Sequence, residues 1–200
     1  MERLLRYYLL LYLVAYFFAA FLWRSFMVRK RTGINPVVFK GSDDAHDFIG
    51  RVFKLLFALV AGVVLAYSLW PESHQYSVPI EWLDHTWLKW VGMALLFLSL
   101  FWTVLAQTQM GESWRIGIDR EHQTPLVQSG IFRFSRNPIF LGMMFTLLGL
   151  FLVLPNVFTL LALVVGVVLI HIQVRLEEEF LSRAHGEDYA SYCRRVRRWL

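Results

Sequence analysis

Cysteine is almost absent from this chain of 200 residues, in which Cys193 is the only one. A single cysteine excludes an intrachain disulfide, so oxidation does not hold the fold together. Charged residues are scarce inside its long apolar runs, and no ligand spacing recurs that would mark a metal site. The sequence also has no internal repeat, low-complexity tract or nucleic-acid-binding motif. Any chemistry must therefore lie outside the apolar runs of a single domain.

Hydrophobic residues are present in excess, at 57% of the chain, with a mean hydropathy of +0.48. Soluble domains are about 45–50% apolar. The excess lies in five runs, each a candidate membrane-spanning helix: 7–23, 52–70, 87–106, 139–154 and 157–170. We therefore expect an all-α integral membrane bundle of about five transmembrane helices, followed by a C-terminal helical segment.

Only Pro155 and Asn156 separate the last two runs. One helix over 139–170 would be about 48 Å long, whereas the hydrocarbon core is about 30 Å thick. Because proline breaks helices, the pair predicts the tip of a tight helical hairpin, with a single kinked helix as the alternative. The domain then consists of three N-terminal helices in 1–106, followed by a loop, the hairpin and a tail in 107–200.

Lysine and arginine are distributed unevenly between the connecting segments. Segments 24–54, 107–138 and 171–200 hold 17 of the 20 bases. The positive-inside rule places these segments in the cytoplasm, with the N-terminus outside, and we expect a bacterial inner-membrane protein. The net charge of +5 then favours anionic lipid headgroups over nucleic acid.

The first polar motif is Ser135-Arg136-Asn137-Pro138, at the entrance of the fourth run. Proline is favourable at a first helical position, and Asn137 is a suitable cap, so Arg136 in one interpretation only reaches towards the headgroups. In the other interpretation, the helix N-terminus and Arg136 bind the carboxylate of a ligand.

The second polar motif is Glu177-Glu178-Glu179, directly after the fifth run. If the helix continues into the cytosol, Arg175 can pair with Glu178 on one face, which His171 shares. Alternatively, one glutamate faces inward and holds a cationic or hydroxyl-bearing ligand. The hairpin brings the two motifs together, so that an anion site and an acidic site form a candidate pocket for a zwitterion.

The residues around both motifs follow a known pattern. Gly130-Ile131-Phe132-Arg133 precedes Arg136-Asn137-Pro138-Ile139-Phe140-Leu141-Gly142, and Glu177-Glu178 precedes Leu181, His185-Gly186, Tyr189 and Tyr192. Over 111–200 the chain resembles the isoprenylcysteine carboxyl methyltransferase and phospholipid methyltransferase superfamily of membrane enzymes. Residues 1–106 resemble it only as hydrophobic spans.

The resemblance implies methyl transfer from S-adenosylmethionine, taken from the cytosol, to a lipid or lipophilic small-molecule acceptor that arrives between helices from the membrane. It also implies a set of cofactor-binding residues. By position these are Thr124, Leu126, Val127, Phe132, Arg136, Asn137, Pro138, Phe140, Glu177 and Glu178.

The chain departs from the family pattern near the acceptor. Gln173 stands where the prenylcysteine enzymes have an arginine that holds the acceptor carboxylate, and Arg175 is close by. We take Gln173 and Arg175 as candidate substrate-binding residues, and the acceptor as something other than a prenylcysteine. Arg175, His171 and His122 are the candidates for a catalytic role, although none stands out as a general base.

Two other classes of protein remain as alternatives. A non-enzymatic membrane subunit or transporter is the first, but transporters place ionisable residues near the membrane midplane, and these runs hold almost none away from their ends. An NADPH-dependent membrane reductase is the second, but the sequence has no dinucleotide fingerprint.

Overall fold

The computed structural model describes residues 1–38, 44–117, 119 and 124–200. Within this part of the chain, all regular secondary structure is helical. A π-helical turn, Phe18–Trp23, joins the first two helices into one continuous stretch. The helices are α1 Glu2–Phe17, α2 Arg24–Thr32, α3 Ala45–Leu69, α4 Thr86–Met110, α5 Pro138–Val153 and α6 Val157–Arg195. The predicted all-α fold is confirmed.

Four helical stretches of the described chain are long and apolar enough to cross a membrane: Glu2–Thr32, Ala45–Leu69, Thr86–Ser113 and Val157–Arg195. The remaining apolar helix, α5, has only 16 residues. Its length of about 24 Å is somewhat less than the hydrocarbon thickness. The bundle of about five apolar helices thus consists of four full-length spans and one short one.

The most extensive contacts among the five apolar helices follow a ring, and α1 also reaches α5 through the hydroxyls of Tyr12 and Thr146, which lie 3.2 Å apart. α1 contacts α3, α3 contacts α6, α6 contacts α5, α5 contacts α4, and α4 contacts α1. The closest approach is between α4 and α5, where a Cβ atom on Gly92 would lie 2.8 Å from the carbonyl oxygen of Gly149. Small residues allow such close contact between helix backbones in membranes.

The hairpin predicted at Pro155-Asn156 is confirmed. α5 ends at Val153, and α6 begins at Val157 with a reciprocal cap, in which Thr159 N–H donates to Asn156 Oδ1 at 3.0 Å and Asn156 N–H to Thr159 Oγ1 at 3.3 Å. The N–H of Ile80, from the loop between α3 and α4, donates to the carbonyl of Pro155 at 2.8 Å. Both sides of the hairpin tip are therefore fixed.

α6 continues well beyond any single crossing of a membrane. The part before Gly186 alone is about 44 Å long, so that roughly the first 20 residues suffice to cross the hydrocarbon and the rest project from it. Gly186 has a positive φ of 52°, which interrupts the helix. Beyond this kink, the last turns of α6 bend back towards the bundle. We call this end of the bundle, where α5 begins and 171–200 lie, the basic end.

Candidate functional site

The start of α5 is built as the sequence predicts, except for its cap. Pro138 occupies the first helical position and Asn137 the N-cap position. The Asn137 side chain, however, makes no capping hydrogen bond. Its Nδ2 instead donates to Glu178 Oε1 at 3.2 Å and to the carbonyl of Arg198 at 3.3 Å. The prediction that Asn137 caps the helix is wrong, because this amide joins α5 to α6 and to the C-terminal segment.

Arg136 and Glu178 form a direct ion pair between the two motifs. Arg136 Nη2 lies 3.0 Å from Glu178 Oε1, and the Nη1 atom donates to the carbonyls of Val196 at 2.9 Å and Cys193 at 3.2 Å. Arg198 binds the other side of the carboxylate, with Nη2 at 2.6 Å from Oε2. We call Arg136, Glu178 and Arg198, with Asn137, the ionic cluster.

The ionic cluster corrects two further expectations. Arg175 does not pair with Glu178, because its Nη1 donates to the carbonyl of His171 at 2.7 Å while its side chain is exposed. Arg136 has Glu178 as its anion in this structure, so it does not stand apart as a separate anion site. The two motifs do converge as predicted, but they bind each other.

The two adjacent acids of α6 have opposite electrostatic environments beyond the hydrocarbon. Burial raises the pKa of Glu178, but hydrogen bonds from Arg198 and Arg136 outweigh it, so that the pKa lies below its ordinary value. Burial dominates at Glu177 and raises its pKa from 4.5 to about 7, since its hydrogen bond from Gln173 offsets only part of this effect. Glu177 can thus change its charge near neutral pH.

Gln173 lies one turn before Glu177 on the same face of α6. Its side chain is 6% exposed, and its Nε2 donates to Glu177 Oε1 at 2.9 Å. Phe140, from α5, packs in the same hydrophobic cluster as Ile170 and Val174. The predicted positions Phe140, Gln173 and Glu177 are therefore brought to one α5–α6 boundary.

The C-terminal segment 196–200 lies over this boundary, although neither sequence motif includes it. The N–H of Arg136 donates to the carbonyl of Arg197 at 3.0 Å, and the Trp199 ring meets the His171 ring edge to face with centroids 5.1 Å apart. The signal was available in the last seven residues, which hold four arginines and a tryptophan. His171, a catalytic candidate, has Trp199 as its ring neighbour.

The chain before α5 contributes a second wall. Phe132 is buried, and its carbonyl accepts a hydrogen bond of 2.6 Å from the hydroxyl of Tyr192 on α6. Burial raises the pKa of Tyr192 to about 12, so this hydroxyl keeps its proton. Val127 packs beside Phe132, whereas Thr124 and Leu126 are partly buried in the extended stretch that leads to it.

A 3₁₀ turn, Gly130–Arg133, sets the position of Phe132. Gly130 has φ +61°, and a Cβ atom there would lie 2.1 Å from Oε1 of Gln109. The same Oε1 accepts the Ile131 N–H at 2.7 Å. Gly130 is thus favoured by its positive φ, and a side chain there would also displace the Gln109 amide from Ile131 N–H. His122, the remaining catalytic candidate, lies outside the described residues.

These features define an α-helical integral membrane protein with a polar site at one end of its bundle. The family model for phospholipid methyltransferase matches residues 87–188, about half of the chain. The chain therefore belongs to the phospholipid methyltransferase family. Membership of this family indicates a methyltransferase that acts on a lipid substrate. No curated protein matches the chain.

Proposed function

We propose that the protein transfers a methyl group from S-adenosylmethionine to a lipid or lipophilic acceptor, and that the cofactor binds at the basic end, between the start of α5 and Gln173–Glu178 of α6. The observation that carries the proposal is the convergence of the two motifs. Asn137 and Arg136 both hydrogen-bond Glu178, and Glu177 lies beside it with a pKa of about 7.

The donor and acceptor groups at this boundary suit the polar parts of the cofactor. Glu177 is an acid that becomes ionised near neutral pH, and it suits the ammonium or the ribose hydroxyls. The cofactor carboxylate suits the first turn of α5, where the N–H groups of Ile139 and Phe140 precede the first helical bond, from Leu141 to Asn137. The carboxylate is not assigned to Arg136 alone, because Glu178 already binds this side chain.

When bound, S-adenosylmethionine supplies an electrophilic methyl group, so no covalent protein nucleophile is required. The chain contributes positioning, charge complementarity and exclusion of water. Phe132 and Phe140 provide apolar and aromatic surface, and an aromatic face near a sulfonium stabilises it by about 0.5–2 kcal/mol. The ionic cluster is a positioning element, because it fixes the start of α5 relative to α6.

The proposal also gives the chain an orientation. The basic end carries most of the lysines and arginines, which by the positive-inside rule face the cytoplasm. S-adenosylmethionine is water-soluble and the acceptor is lipophilic, so a site at the cytoplasmic membrane boundary is accessible to both. Gln173 and Arg175 remain proposed acceptor-binding residues, and Arg175 and His171 remain the catalytic candidates.

Titration of the purified protein with S-adenosylmethionine tests the cofactor site. Glu177→Ala is expected to weaken binding by about tenfold or more, the effect of losing one charge-assisted hydrogen bond. Glu179→Ala is the matched control, because Glu179 is exposed and pairs with Arg183 on its own helix. Its binding should stay within about twofold of wild type.

Transfer of a labelled methyl group into a membrane lipid extract tests the reaction. A wild-type protein that binds no S-adenosylmethionine and labels no lipid would refute the proposed function. Equal losses of binding in Glu177→Ala and Glu179→Ala would refute the assigned site, while leaving the reaction itself intact.

A further inference from the structure

The C-terminal segment 196–200 crosses the opening of the α5–α6 boundary, on the side that the proposed orientation assigns to the cytosol. Next to the start of α5, the carbonyl of Arg197 accepts the N–H of Arg136 at 3.0 Å. Further along the segment, Trp199 meets His171 of α6 with ring centroids 5.1 Å apart. The segment therefore bridges the two helices between which the cofactor is proposed to bind.

The contacts of this segment repeat the charge pattern of a zwitterion. Its oxygen atoms face donors at the start of α5, where the Arg197 carbonyl accepts the Arg136 N–H. The carbonyl of Arg198 likewise accepts Asn137 Nδ2 at 3.3 Å. Its cation faces the acid of α6, because Arg198 Nη2 lies 2.6 Å from Glu178 Oε2. A ligand with a carboxylate and an ammonium would offer this boundary the same two kinds of group.

The segment can leave this place without separating α5 from α6. Arg136 Nη2 and Asn137 Nδ2 both donate to Glu178 Oε1, at 3.0 and 3.2 Å, so the carboxylate keeps two donors when Arg198 departs. The Arg198 side chain is 37% exposed, and ion pairs that water reaches are weak. Departure of the segment therefore costs little and leaves the start of α5 in position.

The base of the segment is anchored, so that the motion is confined to its outer part. α6 ends at Arg195, and Arg136 Nη1 donates to the carbonyls of Cys193 and Val196 at 3.2 and 2.9 Å. Residues 197–200 lie beyond these bonds. A rotation of the backbone at Val196 is enough to carry them away from the boundary.

We propose that residues 197–200 are autoinhibitory: they close the cytosolic opening of the cofactor site and must move away before S-adenosylmethionine binds. The inference rests on the proposed function, since it requires the cofactor to bind at this boundary. The apparent dissociation constant then equals the intrinsic one divided by the open fraction. The segment lies beyond residues 87–188, which the family model matches.

A reversible cross-link tests whether closure excludes the cofactor. In a Cys193→Ser background, His171→Cys and Trp199→Cys put two thiols where the rings meet, and a short bis-thiosulfonate reagent joins them through bonds that a reductant cleaves. We expect S-adenosylmethionine to associate at least about twentyfold more slowly with the cross-linked protein, and the reductant to restore the rate. Trp199→Cys alone, treated with the same reagent, is the control and should show no such loss. Equal association rates before and after reduction would overturn the proposal.

Two substitutions that open the segment test the same idea from the other side. Arg198→Ala removes the cation from Glu178 and should tighten S-adenosylmethionine binding about fivefold, because the open fraction rises. Trp199→Ala removes the contact with His171 and should tighten binding at least as much. Arg197→Ala is the matched control, since its side chain is exposed and its bond to Arg136 comes from the backbone. Unchanged or weaker binding in both opening variants would overturn the proposal.

Limited tryptic cleavage at Arg197 and Arg198 shows which way the segment moves. S-adenosylmethionine should speed this cleavage in the wild type about threefold or more, because it binds the open state. Slower cleavage would mean that the segment closes over a bound cofactor, which would overturn autoinhibition and leave the cofactor site intact. Absence of binding from the wild type and from both opening variants would instead refute the proposed function, and this inference with it.

Discussion

The α4–α5 pair and the α1–α3 pair are neighbouring antiparallel helices in one ring, but they pack in different ways. α4 and α5 touch backbone to backbone at Gly92 and Gly149, and Trp102 Nε1 donates to the carbonyl of Pro138 at 2.9 Å. The stretch of α1 and the π-helical turn meets α3 partly through large rings, such as Phe21 of the turn and Phe57 of α3 with centroids 5.2 Å apart, and both border a cavity inside the bundle.

The difference lies in how firmly each pair of helices is held. Close packing leaves α5 no freedom to shift against α4, which fixes the start of α5 where the site lies. The contacts between α1 and α3 leave this cavity beside them. Substitutions in the two regions should therefore have effects of different size and sign.

The largest effect is expected at Glu178, which joins the closely packed α5 to α6 and to the C-terminal segment. Glu178→Gln leaves Arg136 and Arg198 without their anion, and it should lower the free energy of unfolding by about 3 kcal/mol. Thermal unfolding in detergent micelles, together with faster tryptic cleavage in 194–198, would detect this loss.

Glu179→Gln is the control for this effect, because Glu179 and Arg183 are 58% and 77% exposed and their ion pair is worth under about 1 kcal/mol. Equal unfolding temperatures for Glu178→Gln and the wild type would mean that the ionic cluster does not hold the two helices together.

The next effect in size depends on pH. The pKa of Glu177 is raised in the folded protein, so the folded state holds this proton more tightly than the unfolded state does. The free energy of unfolding of the wild type should therefore fall by about 3 kcal/mol as the pH rises from 4.5 to about 7, and then level off.

Glu177→Gln should lack this fall, so that the variant matches the wild type at pH 4.5 and is more stable at pH 8. Parallel melting curves for the two proteins across this pH range would contradict the raised pKa of Glu177.

A smaller effect is expected from Gly92→Ala, in the closely packed pair. The new methyl group would lie 2.7 Å from Val153 Cγ2 and 2.8 Å from the backbone oxygen of Gly149. Backbone cannot yield as a side chain can, so we expect a loss of about 2 kcal/mol in stability. A displaced α5 should also weaken S-adenosylmethionine binding in the same titration.

The smallest effect, with the opposite sign, is expected from Gly62→Ala in α3. A Cβ atom at Gly62 meets nothing within 4 Å, and alanine favours a helix over glycine by about 0.5–1 kcal/mol. A small rise in unfolding temperature would sharpen the contrast between the two regions. A drop as large as that of Gly92→Ala would remove the contrast.

Much of the fold could be predicted from the sequence because it follows from local rules. Apolar runs of sufficient length predict helices, and Pro155-Asn156 predicts the hairpin, which the cap at Asn156 and Thr159 confirms. The apolar runs predict the helix boundaries less accurately than they predict the helices themselves. The first helical stretch begins at Glu2 and continues to Thr32, because helical hydrogen bonding does not stop where the apolar run does.

The site depends on contacts between residues that are far apart in the sequence. A motif contains its own residues and not their distant partners, so neither motif predicts that Arg136 and Glu178 bind each other. Their ion pair joins residues 42 positions apart. Arg198 and Trp199 lie further along the chain, and only the return of 196–200 towards the bundle brings them to this place.

The sequence alone determined that the chain is a helical membrane protein with methyltransferase motifs at the entrance and exit of its last two spans, because hydrophobicity, charge and motif spacing are local quantities. Tertiary structure decided which charges neutralise each other, which acid keeps a pKa of about 7, and that five helices enclose a cavity. Burial and ion pairing depend on the distances between helices, and only the packing of the helices against one another sets these distances.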